Sequence, residues 1–131
     1  MVTEKLGKAY FWRSGTPPIR SHAVFVRFMR ALGSIQESKR DRIANILAFK
    51  SYHGLQAWVN SALPLAYDLE RLAPALARDG PNPEYPWPQD VPTECPSKFR
   101  FPLWSRLTNT APGRQLTEVI RTAVDRFPEY A

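Results

Sequence analysis

Six basic residues in the first third of the sequence are spaced so that they could bind phosphate groups. Lysine and arginine side chains donate hydrogen bonds to phosphate oxygens, and such contacts hold a nucleic acid without reading its base sequence. If the residues lie on two consecutive helices joined by a tight turn, they form one continuous cationic ridge. The six are Arg20, Arg27, Arg30, Lys39, Arg40 and Arg42.

The distribution of charge along the chain supports this interpretation. The chain has 131 residues and a net charge of +6. Residues 1–60 contain ten Lys and Arg against three Asp and Glu, whereas residues 61–131 contain eight against nine. Because the excess positive charge lies in the first half, we expect a partner rich in phosphate or carboxylate near the N-terminal helices. The alternative is a basic surface that contacts only water.

A second group of cations follows the proline-rich part of the chain. In Lys98-Phe99-Arg100-Phe101 charged and aromatic residues alternate, and Arg106 follows in a predicted turn of helix. This interleaving is typical of proteins that bind single-stranded nucleic acid, since cations contact phosphates and rings stack on bases. The same alternation also describes a strand half buried against a core. Lys98, Arg100 and Arg106 are therefore candidates for a second contact with nucleic acid.

Residues suited to catalysis or metal binding are scarce. The two histidines are His22 and His53, and neither is spaced with other histidines or cysteines as metal ligands are. We therefore expect no metal, no cofactor and no enzymatic activity. The weakest alternative is a small metal-independent nuclease, with one histidine as acid or base and a nearby arginine stabilising the transition state. Because His53 precedes Gly54, we expect it at the C-terminus of a helix.

The elements that would position the basic residues are helices. Val24, Phe25, Phe28 and Leu32 recur on one helical face, and Gly33 can end that helix. The next four residues, 34–37, read Ser-Ile-Gln-Glu and match a capping box, which predicts a second helix through about residue 52. The two helices would form a tight corner. A dedicated helix-turn-helix reader of the major groove is not favoured, because the second helix is too long.

Hydrophobic spacing predicts further helices. One covers residues 55–63, and Pro64 begins the next, which Pro74 kinks or ends. The last covers residues 111–127 before Pro128, with charged residues 114, 118, 121 and 125 on its solvent-facing side. Its apolar face would contain Leu116, Val119, Ile120, Ala123, Val124 and Phe127.

Two aromatic segments lie outside these predicted helices. The triplet Tyr10-Phe11-Trp12 is interpreted as a clasp on the core rather than as a platform for stacking bases. Residues 81–102 contain seven of the thirteen prolines, and proline favours extended backbone. We predict a strap that lays its aromatic residues over the helical core. The alternative is a polyproline ligand for the aromatic groove of a partner.

The predicted fold class is mainly α: one domain over residues 1–131, a small bundle of four to five helices with the proline-rich irregular segment at about 80–102 packed on it. One cysteine allows no intrachain disulfide, and no apolar run approaches the roughly 18 residues of a membrane span. We expect a cytoplasmic protein without membrane contact.

The expected function is that of a non-enzymatic basic subunit that binds the phosphate backbone of a nucleic acid, with RNA or single-stranded DNA favoured. We expect this subunit to belong to a homo- or hetero-oligomeric assembly. The alternative is a regulatory, immunity or adaptor protein that binds an acidic protein through the same residues.

Overall fold

The computed structural model describes residues 2–16, 23–70 and 102–131, and these ranges are mainly helical and contain no strand. The prediction of a mainly α protein is confirmed. The predicted strap at 80–102 and the helical turns beyond residue 70 lie outside the described residues, apart from Pro102. The helices are α1 (Val2–Arg13), α2 (Val24–Leu32), a 3₁₀-helix (Glu37–Lys39), α3 (Arg40–Ile46), α4 (Tyr52–Glu70), α5 (Pro102–Asn109), α6 (Ala111–Asp125) and α7 (Phe127–Tyr130).

The core forms where α2 packs between α1 and α4. Phe25, Phe28 and Leu32 of α2 are fully buried, as the helical spacing predicts. Helix α2 runs antiparallel to α4, since the Gln56 side chain donates to the Gly33 carbonyl at one end and the backbone N–H of Phe25 donates to Glu70 at the other. Helix α6 completes the core with Leu116 and Ala123.

A carboxylate from another helix caps the N-terminus of α2. Ala23 precedes α2 and provides no side-chain cap. Instead, the Oε1 atom of Glu70 accepts hydrogen bonds from the backbone N–H groups of Phe25 at 2.6 Å and Val26 at 3.2 Å. These N–H groups have no acceptor within their own helix, so Glu70 supplies the cap that the local sequence lacks.

The predicted second helix over residues 34–52 is wrong at both ends. No side chain caps the 3₁₀-helix that begins at Glu37, so the predicted capping box at Ser34 does not form. Helix α3 ends at Ile46 in a Schellman motif. Ala48 has a φ of 65°, and the N–H of Phe49 donates to the carbonyl of Ala44 at 2.8 Å. Glycine usually occupies the position of Ala48, and its absence hid this helix end in the sequence.

Helix α4 begins at Tyr52 and continues through Pro64 to Glu70, so the predicted break at Pro64 is also wrong. Ser51 caps the helix, its Oγ accepting from the N–H of Gly54 at 3.1 Å. Pro64 is exposed, and its ring therefore lies on the solvent side, where water can bond the carbonyl that a proline leaves unpaired. His53 lies exposed in the first turn of α4, not at the helix C-terminus that was expected.

Two close approaches between helix backbones depend on glycine. A Cβ atom on Gly7 of α1 would lie 2.8 Å from the carbonyl oxygen of Val24, at the start of α2. A Cβ atom on Gly113 of α6 would lie 2.0 Å from the carbonyl oxygen of Arg106 in α5. Any larger residue would force these helices apart.

The C-terminal helices largely follow the predicted pattern. Thr110 caps α6 by accepting from the N–H of Gly113 at 3.1 Å. Of the predicted apolar face, Leu116, Val119 and Ala123 are buried and Ile120 and Phe127 are partly buried, whereas Val124 is 43% exposed, contrary to the expectation. Helix α6 ends at Asp125, three residues before Pro128, and Pro128 lies in the short α7 instead.

Helix α7 is held against α3 and α6. The Tyr130 hydroxyl donates to the carbonyl of Ala123 at 2.7 Å, and Arg126 donates to the carbonyl of Ile46 at 3.1 Å. Burial raises the pKa of Tyr130 above its usual value. Across residues 2–16, 23–70 and 102–131, no helix combines the length and apolar character needed to cross a bilayer.

Candidate nucleic-acid interface

Five of the six predicted basic residues that the structure describes form two patches, and Arg106 lies apart from both. The α2 patch consists of Arg27 and Arg30, and the α3 patch consists of Lys39, Arg40 and Arg42. Three further predicted contacts, Arg20, Lys98 and Arg100, lie outside the described residues.

In the α2 patch, each arginine lies on an aromatic ring. The guanidinium carbon of Arg27 is 5.0 Å from the ring centroid of Phe11 on α1. That of Arg30 is 5.7 Å from the ring of Tyr67 near the end of α4, and its Nη2 donates to the Tyr67 hydroxyl at 2.5 Å. Attraction between a cation and the ring face orients both side chains without neutralising their charge.

The α3 patch has the same arrangement at the other end of α4. The guanidinium of Arg40 is 5.0 Å from the ring of Tyr52, and its Nε donates to the carbonyl of Ile35 at 3.0 Å. Arg42 donates to the carbonyl of Glu129 at 3.2 Å. Lys39 is exposed between the 3₁₀-helix and α3.

The two patches are separated along α4. Tyr52 and Tyr67 lie in its first and last turns, about 22 Å apart along the axis at the rise of an α-helix. Because Arg40 and Arg30 each lie against one of these rings, the structure does not bring the predicted residues into one continuous ridge. The aromatic partners come from other helices, so no local spacing in the sequence indicated them.

No side chain of either patch forms an ion pair with a carboxylate in the part of the chain that the structure describes. The ion pairs there are Lys8–Glu4, Arg106–Asp68, Arg121–Glu118 and Arg126–Glu129. A hydrogen bond from Arg126 lowers the pKa of Glu129, and the charge of Arg42 adds a smaller contribution. Arg27, Arg30, Lys39 and Arg40 form no ion pair with a carboxylate among the described residues.

Arg106 is in a different situation from the two patches. It lies exposed on α5 and pairs with Asp68 of α4 at 2.6 Å. Its charge is therefore already offset within the fold, and a phosphate at this position would compete with Asp68.

Within residues 2–16, 23–70 and 102–131, no group of three or more His, Cys, Asp or Glu side chains is arranged to hold a metal ion. His53 lies one residue beyond Tyr52, the ring beneath Arg40, but is exposed. His22, the other histidine, is outside the described residues.

Comparison with protein-family models, with curated proteins and with solved structures finds no match to this chain.

Proposed function

We propose that this protein is a non-enzymatic subunit of a larger assembly and binds the phosphate backbone of a nucleic acid through the α2 and α3 patches. The observation that supports this proposal is that, among the described residues, several cations elsewhere on the fold are paired with carboxylates, whereas most cations of the two patches are not. None of the four ion pairs among the described residues includes a side chain of either patch, although Glu129, the partner of Arg126, lies beside Arg42. Arg27, Arg30, Lys39 and Arg40 thus have no ion pair with a carboxylate among the described residues, and such unpaired charge favours phosphate.

The position of the arginine side chains suits phosphate contacts. A guanidinium has five N–H donors, and Arg30, Arg40 and Arg42 each have one hydrogen bond to another group of the fold. The remaining donors can bond to phosphate oxygens. Stacking on Phe11, Tyr52 or Tyr67 reduces the freedom of the side chain before binding, which lowers the entropy lost when a phosphate is bound.

The separation of the patches sets a minimum ligand length. Taking the axial separation of Tyr52 and Tyr67, about 22 Å, as that of the patches, the span corresponds to roughly six or seven base pairs of duplex at about 3.4 Å per base pair. A ligand shorter than that can occupy one patch but not both. We therefore expect affinity to rise between 4 and 12 base pairs and to change little beyond that length.

Fluorescence anisotropy of labelled single-stranded RNA and duplex DNA, measured across a salt series, tests the proposal. One variant removes both charges of the α2 patch (Arg27→Gln/Arg30→Gln). We expect weaker binding, and a log K against log salt slope that is shallower by about 1.4 to 1.8, the contribution of two phosphate contacts.

A matched control removes two charges elsewhere. Arg114 and Arg121 lie exposed on α6, so the double variant Arg114→Gln/Arg121→Gln changes the net charge equally. We expect it to retain nearly the affinity of the original protein. Equal weakening by both double variants would show that only net charge matters, and absence of binding at low salt would refute the proposal. An acidic protein partner would then be the function to test.

A further inference from the structure

Helix α1 exposes one aromatic residue to solvent. In the triplet expected to clasp the core, Tyr10 and Phe11 do pack inward, with the ring of Tyr10 5.2 Å from that of Phe28. Trp12 does not: 74% of its surface is exposed. Exposure alone does not single it out, since Trp104 on α5 is also 68% exposed, and the charges around Trp12 are the distinguishing feature.

The surroundings of Trp12 are basic. Lys5 and Lys8 precede it by seven and four residues, so all three share one face of α1, and Arg13 follows directly. Lys8 pairs with Glu4, but both side chains are well exposed, and such a pair is weak enough to exchange for a phosphate. Arg27 of the α2 patch lies on the ring of Phe11, the residue before Trp12. Arg27 therefore contacts the same turn of α1 that carries Trp12.

We propose that Trp12 is a stacking platform for an unpaired base of a single-stranded nucleic acid, with Lys8, Arg13 and Arg27 contacting the phosphates beside that base. This inference rests on the proposed function and narrows it, because a base within a duplex does not present its face to an indole. The charges around Trp12 favour this occupant. Of the four charged residues of α1, Lys5, Lys8 and Arg13 are cations and only Glu4 is an anion.

The test compares two ligands of the same charge. One is a labelled ten-nucleotide thymidine oligomer, and the other is a ten-unit abasic oligomer with the same phosphates. Trp12→Ala is expected to weaken binding of the thymidine oligomer by about 5- to 160-fold, the loss of one stacked base. It should leave binding of the abasic oligomer unchanged. Trp12→Phe, which keeps an aromatic ring, should recover part of the affinity.

Trp104 provides the matched control, because it is 68% exposed on α5 and its replacement removes the same side chain. Trp104→Ala should bind both oligomers as the original protein does. If Trp12→Ala weakens both oligomers equally, or neither, the stacking platform is refuted while salt-dependent binding through the patches still stands. If the original protein binds neither oligomer nor duplex DNA, the proposed function itself is refuted, and the platform with it.

Discussion

Gly113 allows a direct test of how closely α5 and α6 pack. Replacing it with alanine would place a Cβ atom 2.0 Å from the carbonyl oxygen of Arg106 and 2.6 Å from the Cα atom of Leu107. Non-bonded carbon atoms are normally about 3.5 Å or more apart, so α5 would have to move by more than about 1 Å. Because both contacts are with backbone, no side-chain rotation can relieve them.

Two opposing effects determine the change in the free energy of unfolding. Replacing glycine by alanine inside a helix stabilises by about 1 kcal/mol. Overpacking of a filled site destabilises by about 1 to 3 kcal/mol, occasionally more. With a backbone clash this severe we expect the upper end of that range, and Gly113→Ala should lower the free energy of unfolding by about 2 kcal/mol.

Gly54 is a matched control at the corresponding position of another helix. Gly54 in α4 and Gly113 in α6 each donate their N–H to the hydroxyl that caps the helix, from Ser51 and Thr110. A Cβ atom on Gly54 meets only the Ser51 hydroxyl, at 3.5 Å. Gly54→Ala should therefore leave stability unchanged or raise it by up to about 1 kcal/mol.

Urea unfolding followed by far-ultraviolet circular dichroism measures the difference. With a slope of about 2 kcal/mol per molar urea, the two variants should differ in midpoint by about 1 M or more. If Gly113→Ala were as stable as Gly54→Ala, α5 and α6 would not approach as closely as described, and the reasoning would be refuted.

Two further predictions concern helix ends. Ala48→Gly should stabilise the protein by up to about 1 kcal/mol in urea unfolding, because its φ of 65° is strained for alanine; a loss of stability would contradict the left-handed conformation. For Tyr130, burial raises the pKa of the hydroxyl, so the folded state stays protonated where the unfolded chain ionises. Stability is then fully present below about pH 10 and falls as the pH rises further. Tyr130→Phe should destabilise at neutral pH by about 1 kcal/mol, through the lost hydrogen bond to Ala123, and should show a smaller loss between pH 9 and 11. An unchanged pH dependence in this variant would assign the effect to other groups.

The sequence predicted helices correctly where the residues that determine them lie within a few positions of one another. The apolar spacing of α2 and α6 and the stop near Gly33 depend on residues a few positions apart, and the structure confirms them. The end of α3 was missed because Ala48 occupies a position that usually needs glycine. The break at Pro64 was wrong because the buried flanks of α4 outweigh one missing hydrogen bond.

For the candidate site, the sequence predicted one continuous ridge of cations. The separation of Arg30 from Arg40 follows from which ring each one contacts, and Tyr52 and Tyr67 belong to another helix. The prediction that the aromatic triplet packs on the core is right for Tyr10 and Phe11 and wrong for Trp12. Three consecutive residues cannot all lie on one face of a helix, and Trp12 shares its face with Lys5 and Lys8.

The cap that Glu70 provides couples the local opening of two helix ends. The amides of Phe25 and Val26 are bonded to a side chain 45 and 44 residues further along the chain, at the last residue of α4. Whenever the end of α4 frays, these amides lose their acceptor and become open to solvent exchange. In native-state hydrogen exchange, the first turn of α2 should therefore open together with the end of α4, next to Tyr67 and the arginine that lies on it. Ligand bound at the α2 patch would slow exchange at both helix ends, including amides it does not touch.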